Sequence, residues 1–231
     1  MSTETPTTIP TDDGAMPALR VEPDTTESDA VIVLLQEIFG VTPYIRRRAA
    51  DLAELGYRVL VPHIYWRLDD AEIPDADADA LPRGMAVAGR LDWDRAVADA
   101  AAAIRAAREL GDGRVGLVGF CFGGGLAFAT AAVEAPDTLV SYYGSALPTL
   151  LGLADQVTVP SLHHFGEADA FIDFPTVERI RAAIATRPDV EFHTYRGANH
   201  AFDGAVPQLH NDGASELAWE RTVGFLARTL P

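Results

Sequence analysis

The sequence predicts an α/β fold: a doubly wound, mostly parallel sheet with helices on both faces and an antiparallel hairpin at its N-terminal end. Three observations carry this. Val31-Ile32-Val33-Leu34-Leu35 is an unbroken apolar run, the pattern of a strand covered on both faces, as in parallel sheets. Further strand-like runs at 57–61, 114–118, 138–142, 159–165 and 190–195 alternate with stretches of helical period, and such alternation builds βαβ crossovers. The 231 residues are 48% hydrophobic and 23% charged, enough to bury one large core.

Taken in order, residues 1–6 read as a frayed tail before a single domain over 7–231. Runs 7–10 and 16–21 flank the turn-forming Asp12-Asp13-Gly14, which predicts a hairpin. In residues 44–55 the spacing Ile45, Ala49, Leu52 repeats at helical period and Gly56 stops it. Residues 62–92 are proline-bearing, rich in Asp and Ala, and without a clear period; a long excursion of this kind is read as a cap or active-site rim. Its acidic stretch, 69–79, is most simply a solvated loop, since the oxygen-ligand spacing of a calcium loop is missing. Trp93, Val97, Ala100, Ile104 and Ala107 restore a helical stripe that Gly111 closes, and helices follow at 124–133, 176–185 and 215–229.

Composition excludes several chemistries. All 18 basic residues are arginine and 34 are acidic, a net charge of −16. Without lysine there is no Schiff base, no P-loop and no Ser–Lys pair. The acidity argues against nucleic acid and anionic membranes as partners. One cysteine closes no internal disulfide, and neither a leader nor an apolar run of membrane length is present, so a cytoplasmic protein, monomeric or a small homo-oligomer, is expected.

Gly119-Phe120-Cys121-Phe122-Gly123 lies between a strand and a helix. In a nucleophile elbow, small residues two before and two after the nucleophile permit a turn too tight for larger side chains. The helix that follows aims its N-terminal amides at the thiol, and the Phe122 N–H becomes an oxyanion donor. Gly166-Glu167-Ala168-Asp169 and Gly197-Ala198-Asn199-His200 each follow a strand. They supply an acid and a base in the chain order this architecture requires, with Asp173 in reserve for the acid. His63, with Tyr65 and Trp66 beside it, reads as pocket or aromatic wall. The adjacent His163 and His164 point to opposite faces of a strand, which speaks for packing rather than a shared metal. Gly111-Asp112-Gly113-Arg114-Val115-Gly116 spells G-x-G-x-x-G, but before a strand rather than after one, so it carries no dinucleotide.

Together with Gln36-Glu37-Ile38-Phe39-Gly40 and Tyr142-Tyr143-Gly144, these pieces resemble the dienelactone hydrolase (carboxymethylenebutenolidase) family of the α/β-hydrolase superfamily. The resemblance implies a small ester or lactone substrate, a Cys121–His200–Asp169 triad, and neither cofactor nor metal. It implies that Glu37 meets the resting thiol until substrate displaces it, and that the Ile38 N–H is a second oxyanion donor. For substrate binding it points to Phe39, Tyr143 and one of Arg67, Arg83 or Arg90. The family's type members carry a further arginine shortly after the catalytic histidine, where this chain reads Ala201-Phe202-Asp203-Gly204; a different ester, lactone or related acyl compound is therefore expected. Competing readings are a ligand-sensing protein with vestigial activity and a hydrolase of thioesters or carbon–halogen bonds.

Overall fold

A computed structural model describes residues 2–25, 28–69, 72–74, 77 and 79–231. Its strands are β1 (Thr3–Thr11), β2 (Gly14–Glu22), β3 (Val31–Leu35), β4 (Arg58–Pro62), β5 (Val115–Phe120), β6 (Thr138–Tyr142), β7 (Ser161–Gly166) and β8 (Val190–Tyr195). Among the described residues they form one eight-stranded sheet in the order β1-β2-β4-β3-β5-β6-β7-β8. The first two strands pair antiparallel and β2 joins β4 antiparallel; all later pairings are parallel. The helices are α1 (Pro43–Glu54), α2 (Ala80–Ala88), α3 (Trp93–Leu110), α4 (Phe122–Ala131), α5 (Phe174–Ile184) and α6 (Asp212–Thr229). None among the described residues is long and apolar enough to cross a membrane.

The alternation of side chains along β5 sorts the helices onto two faces. Phe120 meets the ring of Tyr44 on α1, and Gly116 lies under Leu230 just beyond α6. On the opposite face Gly119 lies directly against Gly123 of α4. The same division runs through β7: His163 packs toward Phe128 of α4 and His164 bonds to Thr222 of α6. Both rings are fully buried, so the reading of this pair as packing residues on opposite faces holds.

Two sequence expectations are corrected. The hairpin is longer than its apolar pattern, because Thr3 pairs with Glu22 and Thr5 with Arg20. Residues 3–6, read as tail, are thus the exposed start of an edge strand, where backbone pairing rather than burial supplies the order. The excursion at 62–92 contains α2, which the absence of a sustained period concealed. Its mean exposure is high, but Ala80, Gly84 and Val87 are buried at helical spacing. Within the acidic stretch, Asp70 and Asp75 lie outside the described residues.

Burial pushes His163 down to about 3 from the ordinary 6.5 and lowers His164 as well, the latter helped by neighbouring His193, His163 and Arg221. An unfolded chain takes up these protons near pH 6.5 while the folded chain resists them, so the unfolded state binds more protons below that point. The contribution of these two histidines to stability should therefore be fully present above pH 6.5 and decline as pH falls toward 3. Thermal denaturation across this window should show that slope, and His163→Gln should flatten it.

Candidate active site

Four sequence segments bring polar side chains to the C-terminal edge of the parallel strands, where open α/β sheets bind ligands. Cys121 follows β5, Glu37 follows β3, Asp169 follows β7 and His200 follows β8. Cys121 has φ 54° and ψ −114°, a conformation that costs an L-residue free energy and persists only where its surroundings fix it. They do so through the backbone. The Cys121 N–H donates to the Tyr142 carbonyl (3.0 Å), and the Cys121 carbonyl accepts from the N–H groups of Gly124, Gly125 and Ser145 (3.0, 3.2 and 3.1 Å). A Cβ on Gly119 would stand 2.1 Å from the Gly123 carbonyl oxygen, and one on Gly123 would stand 2.4 Å from that of Gln36. Glycine at both positions is a steric requirement of this turn.

A comparable closeness aligns the other two loops. A Cβ on Gly166 would fall 2.3 Å from the Ala198 oxygen, and the Ala168 N–H donates to that oxygen at 2.9 Å. Asn199 ties the loops again, its Oδ1 accepting from the N–H groups of Ala170 and His200 (2.9 and 2.7 Å). The result is a chain of contacts: Cys121 Sγ to His200 Nε2 at 3.1 Å, and His200 Nδ1 to Asp169 Oδ2 at 2.7 Å. A carboxylate only accepts, so Nδ1 carries the proton and Nε2 faces the thiol as acceptor. The other Asp169 oxygen accepts from the N–H groups of Phe171 and Ile172 (2.7 and 2.9 Å), which fixes the carboxylate. Burial alone would lower the His200 pKa, but the neighbouring Cys121 charge and the Asp169 hydrogen bond prevail and raise it to about 10. An imidazolium is therefore well supported once the sulfur has given up its proton.

Asp173, the reserve acid, instead caps α5 by accepting from the Thr176 N–H at 3.0 Å. Glu37 is buried and faces the same cavity as Cys121 and His200. That cavity measures about 260 Å³. Ser145 contributes the remaining polar side chain of its wall, and Ile38, Phe39, Leu81, Met85, Phe171 and Val206 make much of the apolar part.

The structure does not bring the three arginines of the excursion to this cavity. Arg67 is clasped by buried Asp99 (2.5 Å) and by Asp13 (2.9 Å) and lies over the Trp66 ring. Arg83 pairs with Asp77 and Asp79, and Arg90 donates to the Asp69 carbonyl. The partners are carboxylates of the same chain for Arg67 and Arg83 and a backbone carbonyl for Arg90, and sequence position alone did not reveal those pairings. Tyr143 is buried behind the site, its ring 5.2 Å from that of His200, and is not part of the cavity wall. Tyr65 packs against Phe122, while Trp66 donates to Asp99; His63 is likewise outside the wall.

Sequence reasoning missed α2. Leu81, Met85 and Ala88 are spaced to share one helical face and all three line the cavity, so the i, i+4, i+7 stripe was the available signal. Asp203, in the segment after His200 where the family's type members carry an arginine, does not face the cavity. Asp203 is 1% exposed and is held behind the site by Arg48 (2.5 and 2.9 Å), Ser215 (2.6 Å) and the Tyr44 hydroxyl. Burial first, then Asp203 and Glu37, keep the Tyr44 phenol protonated and hence a donor.

The match to known proteins is decisive. A model of the dienelactone hydrolase family covers residues 16–230. The chain belongs to the dienelactone hydrolase family. The carboxymethylenebutenolidase of Pseudomonas putida is 36% identical over 200 residues, covering 85% of each chain. That of Rhodococcus opacus is 34% identical over 231 residues, covering 93% of this chain and 87% of the relative. A solved chain from Klebsiella pneumoniae superposes with a TM-score of 0.86 at 26% identity, over 98% of this chain and 99% of that one. A dienelactone hydrolase-like promiscuous phosphotriesterase from metagenomic libraries gives 0.80 at 20% identity over 99% and 98%, a likeness of fold. The dienelactone hydrolase-like sheet and its N-terminal hairpin are those of the α/β-hydrolase fold.

Two substitutions probe the frame. Gly119→Ala should destabilise the protein by at least about 2 kcal/mol in urea denaturation, because the clash is with backbone rather than a movable side chain. Asp203→Ala should cost about 3 kcal/mol, since it leaves the Arg48 guanidinium, 11% exposed, without its main counter-charge.

Proposed function

We propose that this protein hydrolyses a small carboxylic ester or lactone through a cysteine nucleophile and a thioester acyl-enzyme. The observation that carries the reading is the continuous Cys121–His200–Asp169 hydrogen-bond chain at the foot of a small cavity. Similarity to the Pseudomonas putida carboxymethylenebutenolidase supports the reaction class. His200 Nε2 takes the thiol proton as sulfur attacks the carbonyl carbon. Asp169 holds the ring in the required tautomer and stabilises the imidazolium. Negative charge moving onto the carbonyl oxygen is met by the N–H of Phe122, in the first turn of α4 where helical amides lack intrahelical acceptors, and by that of Ile38.

Collapse of the tetrahedral intermediate breaks the carbon–oxygen bond, and His200 returns its proton to the departing alkoxide. Water then attacks the thioester carbonyl, losing its proton to His200, which passes it to the sulfur as the acid leaves. Glu37 shares the cavity and, in this scheme, keeps the thiol protonated at rest until ligand arrives. A neutral resting sulfur is less open to oxidation than a standing thiolate.

Cys121→Ala should lower kcat/KM on an aryl ester or lactone by at least about 10⁴-fold with its melting curve little changed. Asp169→Asn should lower kcat by about 10³-fold or more through loss of the productive tautomer. Intact-protein mass spectrometry during turnover should find the acyl group on Cys121, and undiminished hydrolysis by Cys121→Ala would refute the scheme.

A further inference from the structure

Large hydrophobic side chains exposed among the described residues are Leu81, Met85, Val133, Phe171, Phe174 and Leu217. Three of these six, Leu81, Met85 and Phe171, line the one cavity that holds Cys121 and His200. Their exposures of 40%, 57% and 51% leave apolar surface in water that a bound ligand would cover, and clustered exposure of this kind marks a binding surface. Phe171 also stands edge-on to the His200 ring, with centroids 5.2 Å apart, so a group resting on it lies beside the reacting centre.

The charges around the cavity point the same way. None of its described lining residues is arginine, and the chain contains no lysine. The neighbouring guanidiniums are committed elsewhere: Arg48 to Asp203, Arg67 to Asp99 and Asp13, Arg83 to Asp77 and Asp79. The one ionisable carboxyl in the wall is that of Glu37. A ligand carboxylate seated here would lose hydration with no cationic partner to replace it, and a like charge close by adds repulsion in a medium of reduced dielectric.

Resting on the hydrolytic reading of Cys121, we propose that this cavity selects neutral esters or lactones with an apolar acyl or alkoxy group and discriminates against substrates bearing a carboxylate. Gly204 is the position through which the selectivity can be inverted. It lines the cavity, lies outside the left-handed glycine conformations, and a Cβ built there would stand 3.6 Å from Glu37 Oε1. The nearest atom, the Ala201 carbonyl oxygen at 3.1 Å, would have to give by a few tenths of an ångström.

The test compares two aryl esters of equal chain length, p-nitrophenyl pentanoate and the mono-p-nitrophenyl ester of glutaric acid, by steady-state kinetics near neutral pH. The pentanoate should have the higher kcat/KM by about 100-fold. Gly204→Arg, and independently Val206→Arg from a second wall position, should each shrink that gap by about tenfold or more. Met85→Ala should raise KM for the pentanoate more than for the acetate, as expected where the acyl chain rests on that side chain. Equal or faster turnover of the glutarate by the wild type overturns the charge selection and leaves the hydrolytic reading in place. Turnover of neither ester, with Cys121 shown to be reduced, removes the hydrolytic reading and the selectivity that depends on it.

Discussion

The site depends on a single backbone constraint: Cys121 held at φ 54° between a parallel strand and a helix. A cysteine on a strand would point into the core or a helix layer, and one on a helix would follow the helix face. At this turn the side chain leaves the sheet edge, facing the His200 ring from three strands further along the sheet. The strain is offset by four backbone hydrogen bonds to the Cys121 peptide groups. It is permitted only because Gly119 and Gly123 leave room for carbonyl oxygens that approach within 2.1 to 2.4 Å of where a Cβ would be. The other non-glycine residues with positive φ among the described residues, Tyr143 and Ala201, flank the same site. Strain is concentrated at the candidate site, and the rest of the sheet is regular enough to hold it.

Behind the turn lies a second layer that gives the loops their rigidity. The Arg48–Asp203 pair binds α1 to the loop after His200, and Ser215 joins α6 to the same carboxylate. Tyr44 connects this group to Tyr143, whose ring rests against His200. The imidazole is thus set by Asp169 at one nitrogen and packed by aromatic rings on its faces. Buried ion pairs contribute little net stability compared with apolar packing, but this one determines where a loop must lie, which an apolar contact would leave less defined.

Much of the fold and the heart of the site were legible in the sequence because local physics dictated them. The run 31–35 has no polar face to offer, so it could only be a covered strand, and it is buried throughout. The G-x-C-x-G spacing encodes a steric demand that few other structures make, and Asp169 and His200 follow strand ends that the alternating pattern had already located. The arginines were different. Arg67, Arg83 and Arg90 occur near the site in sequence, but their direction is set by Asp99, Asp77 and the Asp69 carbonyl, partners that only the tertiary structure identifies. Asp203 makes the same point: its neighbours in sequence are at the site, whereas its side chain turns inward to Arg48. The helix α2 escaped notice because no sustained period runs through 62–92; its short stripe Leu81, Met85, Ala88 faces the cavity while Ala80, Gly84 and Val87 are buried.

Under the proposed mechanism, the apolar character of that cavity would serve the chemistry as well as recognition. A thiolate–imidazolium pair is weak in water, where solvent screens it, and much stronger where the dielectric falls. Cys121 and His200 are 7% and 6% exposed, and a ligand lying across Leu81, Met85 and Phe171 would remove the remaining water from them. Binding energy from the apolar part of the substrate would then strengthen the interactions that stabilise charge at the sulfur and at the oxyanion, so the same contacts that admit a neutral ester would promote its cleavage. A cationic residue in this wall would instead compete with the imidazolium for the thiolate, and a wall without arginine or lysine among its described residues avoids that competition.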